Sequence, residues 1–130
     1  MFGEKILQTS LHVRSGMPLL LSEFIATFGL LATIWGCSRF RIDAIPFAVG
    51  AYITSAYWFT ASTSFANPAV TLARGFTNTF AGIRPQDAPA FILVQLAGAF
   101  AATLLFRWLI PRLPEKAPEI LVAHDRGQMR

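Results

Sequence analysis

Apolar positions fall into three long runs separated by short polar breaks. The run over 18–37 carries a single charge, Glu23. The run over 44–61 carries none, although Thr54, Ser55, Tyr57 and Thr60 give it a polar side. The run over 88–110 closes with Arg107 and Trp108, residue types that anchor at a membrane–water interface. Each run approaches the roughly 20 residues needed to cross a bilayer, so the pattern predicts three spanning helices. Between the second and third runs the pattern changes. Residues 62–66 are small and polar and read as a loop, followed by Asn67-Pro68-Ala69-Val70-Thr71. Asn is a preferred N-cap and Pro suits the first helical position, so a short helix is expected over 68–76. A helix of that length rises only about 13 Å, less than half a bilayer. Gly75, Asn78, Gly82, Pro85 and Pro89 then mark a return loop.

A helix that starts at membrane depth directs free N–H groups and the positive end of its dipole at its surroundings. Irregular backbone at that depth is tolerated only against protein or beside a cavity. Asn67-Pro68-Ala69 therefore marks a pore or a binding site.

Composition supports the membrane reading. Of the 130 residues, 54% are hydrophobic and 14% charged, about half the usual charged fraction. The net charge of +4 is spread over the flanks of the apolar runs, where it sets topology; nucleic acid is not an expected partner, and the lipid bilayer is. Cys37 is the sole cysteine, so no internal disulfide forms. No basic segment followed by an apolar stretch and a cleavage site opens the chain. Glycines follow neither a dinucleotide nor a phosphate-loop pattern, and His12 and His124 lack partners at ligand spacing. No nucleophile–base constellation is present. Neither catalysis, a cofactor nor a metal is expected.

Three spans place the termini on opposite sides. Arg39, Arg41, Arg107, Arg112, Lys116, Arg126 and Arg130 fall on one side, and Lys5, Arg14, Arg74 and Arg84 on the other. The positive-inside rule then puts the C-terminus in the cytoplasm and the N-terminus outside. The expected organisation is an external leader over 1–17, a membrane unit over 18–110 and a flexible cytoplasmic tail over 111–130.

Four segments together, Ser22-Glu23-Phe24, Phe47-Ala48-Val49-Gly50, Asn67-Pro68-Ala69-Val70-Thr71 and Gln95-Leu96-Ala97-Gly98-Ala99, resemble one repeat of the aquaporin (major intrinsic protein) family. The resemblance covers 18–110. It implies an all-α membrane protein with three transmembrane helices and one re-entrant half-helix, half of an aquaporin fold. Aquaporins have two such repeats in opposite orientation. The string Asn-Pro-Ala-Val-Thr is more typical of the first repeat, whereas the charge distribution fits the second, and physical orientation favours the second. The leader then resembles the loop between repeats.

The resemblance implies half of a passive channel for water or small neutral solutes such as glycerol-like polyols and uncharged metalloid acids. Closing it requires a first-repeat half or another copy of the chain. The alternative is a truncated, non-conducting remnant. Asn67 would orient a passing oxygen, Pro68 would fix the first turn, and Ala69 would let a second half-helix approach. Val70 stands where the second repeat commonly has an Arg at the external constriction, which implies a wider, more apolar ring. Arg74, four residues on, is a candidate vestibule cation. Tyr57 and Phe65 are candidates for the constriction wall. Glu23 would brace the re-entrant loop, and Gln95 would brace or line the interior. An ionisable group inside a span is costly and so a functional candidate in its own right. Gly50, Gly98, Ala26 and Ala102 are expected at close helix contacts.

Overall fold

The structure, a computed structural model, describes residues 7–110; the expected tail and the first part of the leader lie outside the described residues. These form four α-helices and no strand: α1 Met17–Phe40, α2 Ile45–Phe59, α3 Pro68–Arg74 and α4 Ala88–Leu109. The protein is an all-α membrane protein. α1 (24 residues) and α4 (22 residues) are long and apolar enough to cross a bilayer. At 1.5 Å per residue they rise about 36 and 33 Å, against a hydrocarbon core of about 30 Å.

Two elements are shorter than the sequence pattern predicts. The second apolar run yields a 15-residue helix, because Ile42–Ala44 wind into a separate 3-10 turn and Thr60 leaves the helix in an extended conformation. The half-helix ends at Arg74 rather than at 76. There Gly75 N–H bonds Leu72 O (3.1 Å) and Phe76 N–H bonds Ala73 O (3.1 Å), a tightening of the last turn. The carbonyls of Gly75 and Phe76 instead accept from Ser10 N–H and Gln8 N–H, both at 3.0 Å.

That pairing exposes an unexpected role for the leader. Residues 7–16 form a strap along the return loop. Leu11 N–H donates to Asn78 Oδ1 (3.1 Å), His12 O accepts from Arg84 N–H (2.8 Å), and Arg14 N–H donates to Asp87 Oδ2 (2.9 Å). Gly16, at φ 115°, then turns the strap into α1, a backbone angle that a side chain would oppose.

α4 packs along α1, α2 flanks α1, and α3 rests on α4. A Cβ on Gly98 would stand 2.6 Å from the Phe24 carbonyl oxygen and 3.3 Å from Phe28 N, so α1 and α4 meet backbone to backbone. Ala26 and Ala102 are fully buried, as expected of close-contact residues. Gly50 is not one of them: nothing lies within 4 Å of a Cβ placed there. The close contact between α1 and α2 is at Gly29, whose missing side chain admits the Tyr52 phenol, and Tyr52 Oη donates to Ala26 O (3.0 Å). Phe65, Ile83, Ala88 and Phe91 form the buried cluster, with Leu19, Leu20 and Val70 packed on it. It brings together the starts of α1, α3 and α4. Away from it, Leu21, Phe47, Trp58, Leu93, Phe100 and Trp108 are exposed, as an apolar solvent permits.

We predict that Gly98→Ala wedges α1 from α4 and destabilises by about 1–3 kcal/mol. Gly50→Ala should be neutral or stabilising by up to about 1 kcal/mol, since Ala is the better helix former. Thermal unfolding in detergent measures both, and equal midpoints for the two variants would refute the packing assignment.

Candidate functional site

The segment between α2 and α3 is irregular, polar and buried. Thr60, Ser62, Thr63, Ser64, Phe65 and Ala66 are all inside. Thr63, Ser64 and Ala66 hold φ of 63°, 47° and 51°, left-handed values that cost a residue with a side chain on the order of 1–3 kcal/mol. Such a course persists only when its surroundings fix it. Glu23 does much of this. Its carboxylate is 0% exposed and accepts from Phe65 N–H at 2.8 Å and Ala66 N–H at 2.9 Å. Gln95, also fully buried, donates from Nε2 to Glu23 Oε2 (2.7 Å) and to Thr71 Oγ1 (2.8 Å). Thr71 Oγ1 in turn lies 3.1 Å from Asn67 O. A chain of hydrogen bonds thus runs from α1 through α4 into the first turn of α3.

Asn67 caps α3. Its backbone is extended, and its Oδ1 accepts from Ala69 N–H at 2.8 Å. Pro68 occupies the first helical position, where a missing N–H costs nothing. Asn67 and Ala69 are exposed. Among the described residues nothing accepts from Asn67 Nδ2. Val70 is half-buried, with one side on the Phe65–Phe91 cluster.

Phe65 does not stand free as a wall residue. It is 3% exposed, and its ring lies 5.5 Å from that of Phe91. Its aromatic face is held by the guanidinium carbons of Arg74 and Arg14, 4.3 and 4.9 Å from the centroid. Tyr57, near the end of α2, is half-buried, its ring 6.2 Å from that of Trp58. Arg74 is half-buried, and its Nη1 reaches Thr63 Oγ1 only at 3.5 Å.

Arg14 is the residue the sequence reading missed, having counted only as a flanking charge. It is 4% exposed and donates from Nε to Gly82 O (2.7 Å), from Nη1 to Ser62 O (2.8 Å) and from Nη2 to Phe80 O (2.8 Å). It therefore ties the strap to the loops on both sides of α3. Burial, and then the like charge of Arg74, pull its pKa below the ordinary value; Glu23 and Tyr57 act the other way. Thr71 was also missed, although its position four residues after Asn67 puts both on one helical face.

Asp87 secures the other end of the strap. Its carboxylate takes Arg14 N–H and a two-point contact from Arg84, at 2.9 and 3.2 Å. Burial opposes its ionisation, but the bonds from Arg84 and Arg14 outweigh burial and lower its pKa. A depressed carboxylate pKa adds stability above the unfolded value, about 3.9, that is lost as pH falls through the folded value. We predict a constant stability gap between the native chain and Asp87→Asn above about pH 5, shrinking as pH falls below about 4. Thermal midpoints across pH measure it, and a gap that does not narrow in acid would refute the pairing. Glu23→Gln places an amide N–H₂ against backbone N–H donors and should lower stability by about 2–4 kcal/mol. An unchanged midpoint would show that the loop is held by other contacts.

The sequence model of the major intrinsic protein family matches residues 15–128. A protein described as aquaglyceroporin AqpS, from Rhizobium meliloti (strain 1021), is 54% identical over 123 residues, which is 92% of this chain and 53% of that protein. The chain thus spans about half the length of the curated relative it matches. No solved structure matches it significantly.

Proposed function

The chain belongs to the major intrinsic protein family, and on that premise we propose that residues 18–110 supply one half of a passive channel for water or small neutral solutes. The carrying observation is the Asn67-capped half-helix. Its loop is fixed from within by Glu23 and Gln95, while Asn67 and Ala69 stay exposed at its tip. With Oδ1 engaged by the cap, Asn67 has Nδ2 left to donate to a passing hydroxyl or water oxygen. The dipole of α3 adds positive potential at the same point, a barrier to cations and protons.

In this reading Asn67, Pro68, Ala69 and Val70 line the pore, and Tyr57 and Arg74 stand at its mouth. Phe65 acts indirectly, by holding Arg74. Glu23 and Gln95 are the brace. The pore is closed by an opposing repeat outside these 130 residues, a first-repeat half or a second copy. Exposed donors at the tip would otherwise face hydrocarbon, at several kcal/mol each. Charge placement supports the second-repeat orientation, with the C-terminus cytoplasmic, in a bacterial inner membrane. The relative is described as an aquaglyceroporin, which supports glycerol-like solutes; the apolar Val70 extends the range to uncharged metalloid acids.

Solute-driven swelling of proteoliposomes tests the reading. Glycerol should enter liposomes holding the chain with its opposing repeat faster than empty ones, and equal rates would end the channel reading. We further predict that Val70→Arg narrows the opening and lowers glycerol flux relative to water. An unchanged flux ratio would remove Val70 from the constriction.

A further inference from the structure

Two guanidiniums, Arg14 and Arg74, lie within 5 Å of one buried phenyl centroid. Among the described residues neither forms a salt bridge; the ion pairs are Arg41–Asp43 and Arg84–Asp87, elsewhere. The acidic group in electrostatic reach of both is Glu23. Its oxygens are already taken by Phe65 N–H, Ala66 N–H and Gln95 Nε2. Two positive charges against one negative leave the cluster with one cation in excess.

The two arginines differ in what they have left to offer. All three nitrogens of Arg14 already donate to carbonyl oxygens, and the side chain is buried. Arg74 is half-exposed, and among the described residues its side chain has only the long 3.5 Å hydrogen bond to Thr63 Oγ1. The Phe65 face fixes its guanidinium and leaves its N–H fork for another partner. A forked donor with excess positive charge matches a carboxylate or phosphate oxygen pair, and a hydroxyl adds a further donor.

We propose that Arg74, with the Thr63 hydroxyl beside it and the charge of Arg14 behind it, binds a small monovalent oxyanion. This deepens the channel reading and rests on it for placing Arg74 at an entrance; there the bound anion would compete with neutral solute. Two sources carry this chemistry, a free small acid and the phosphate of a lipid headgroup.

The test is titration of the full chain in lipid-free detergent with ¹³C-formate, followed by line broadening. Native protein should bind saturably. Arg74→Gln should weaken binding by about tenfold or more, and Arg74→Lys, which keeps the charge but loses the fork, by a smaller factor. Absence of saturable binding, or equal affinity in the native chain and in Arg74→Lys and Arg74→Gln, overturns the proposal. Should Arg74→Gln fail to fold, equal affinity of the native chain and Arg74→Lys overturns it. Repeating the titration in phosphatidylglycerol nanodiscs separates the sources: binding that disappears assigns the site to the headgroup, and binding that persists assigns it to the free acid. Glycerol swelling separates the two readings. Arg74-dependent formate binding without glycerol flux removes the channel and leaves the site, whereas flux without formate binding removes the site alone.

Discussion

The carboxylate of Glu23 carries the loop that carries everything else. An ionised group inside an apolar helix is expensive unless its lone pairs are filled, and here two backbone N–H groups and one amide fill them. The exchange works in both directions. Phe65 and Ala66 have N–H groups that helix or sheet would ordinarily satisfy, and at membrane depth water is no substitute. The three left-handed residues of the loop cost on the order of 1–3 kcal/mol each. Charge-assisted hydrogen bonds are worth about 1.5–3 kcal/mol each, the same scale. The strained loop and the buried charge are each unstable alone and stable together.

Arg14 solves the complementary problem on the outer side of the loop. Ser62, Phe80 and Gly82 present carbonyl oxygens that no helix uses, and one guanidinium gathers all three. Glu23 offsets its charge only in part and from a distance, and among the described residues no carboxylate pairs with the guanidinium. The half-helix is consequently held from two sides by groups of opposite sign. Glu23 and Gln95 act from the spanning helices, and Arg14 acts from the strap. Phe65 lies between them, its backbone on Glu23 and its ring under Arg14 and Arg74. This explains why a phenylalanine beside the Asn67 motif is buried rather than facing an opening.

What was legible in the sequence follows from the range of the forces involved. The apolar runs and the Asn67–Pro68 start are local statements about hydropathy and capping, and the chain obeys them within a few residues. Glu23 stood out because a charge in a span is costly wherever its partner lies, so its importance was readable before its acceptors were known. Arg14 was opaque for the opposite reason. A charge before a span is ordinary, and its partners lie 48, 66 and 68 residues away. Gly50 and Gly29 show the same limit. Both are glycines in apolar helices, and only the fold reveals that Tyr52 fills the space beside Gly29 while nothing approaches Gly50. The early end of α3 was hidden likewise, since the carbonyls just beyond it pair with strap amides more than 60 residues earlier in the chain.

The distribution of satisfied and open polar groups gives the half-helix a direction. On its inner face Thr71, Gln95 and Glu23 form a closed network with no exposed atom to spare. At its tip Asn67 and Ala69 are exposed, and the Asn67 amide nitrogen has no acceptor among the described residues. The flanking surfaces of α1, α2 and α4 expose Leu21, Trp58, Leu93 and Phe100, which lipid or an apolar partner covers without cost. Acyl chains satisfy those surfaces and cannot satisfy the tip. In the channel proposed above, a neighbour apolar along the helices and a water-filled passage opposite Asn67 would meet both demands. A second half-helix tip would itself be a donor end, so in that reading the acceptors opposite Asn67 are the oxygens of water or solute in the passage, which a simple transmembrane helix pressed against the tip would exclude.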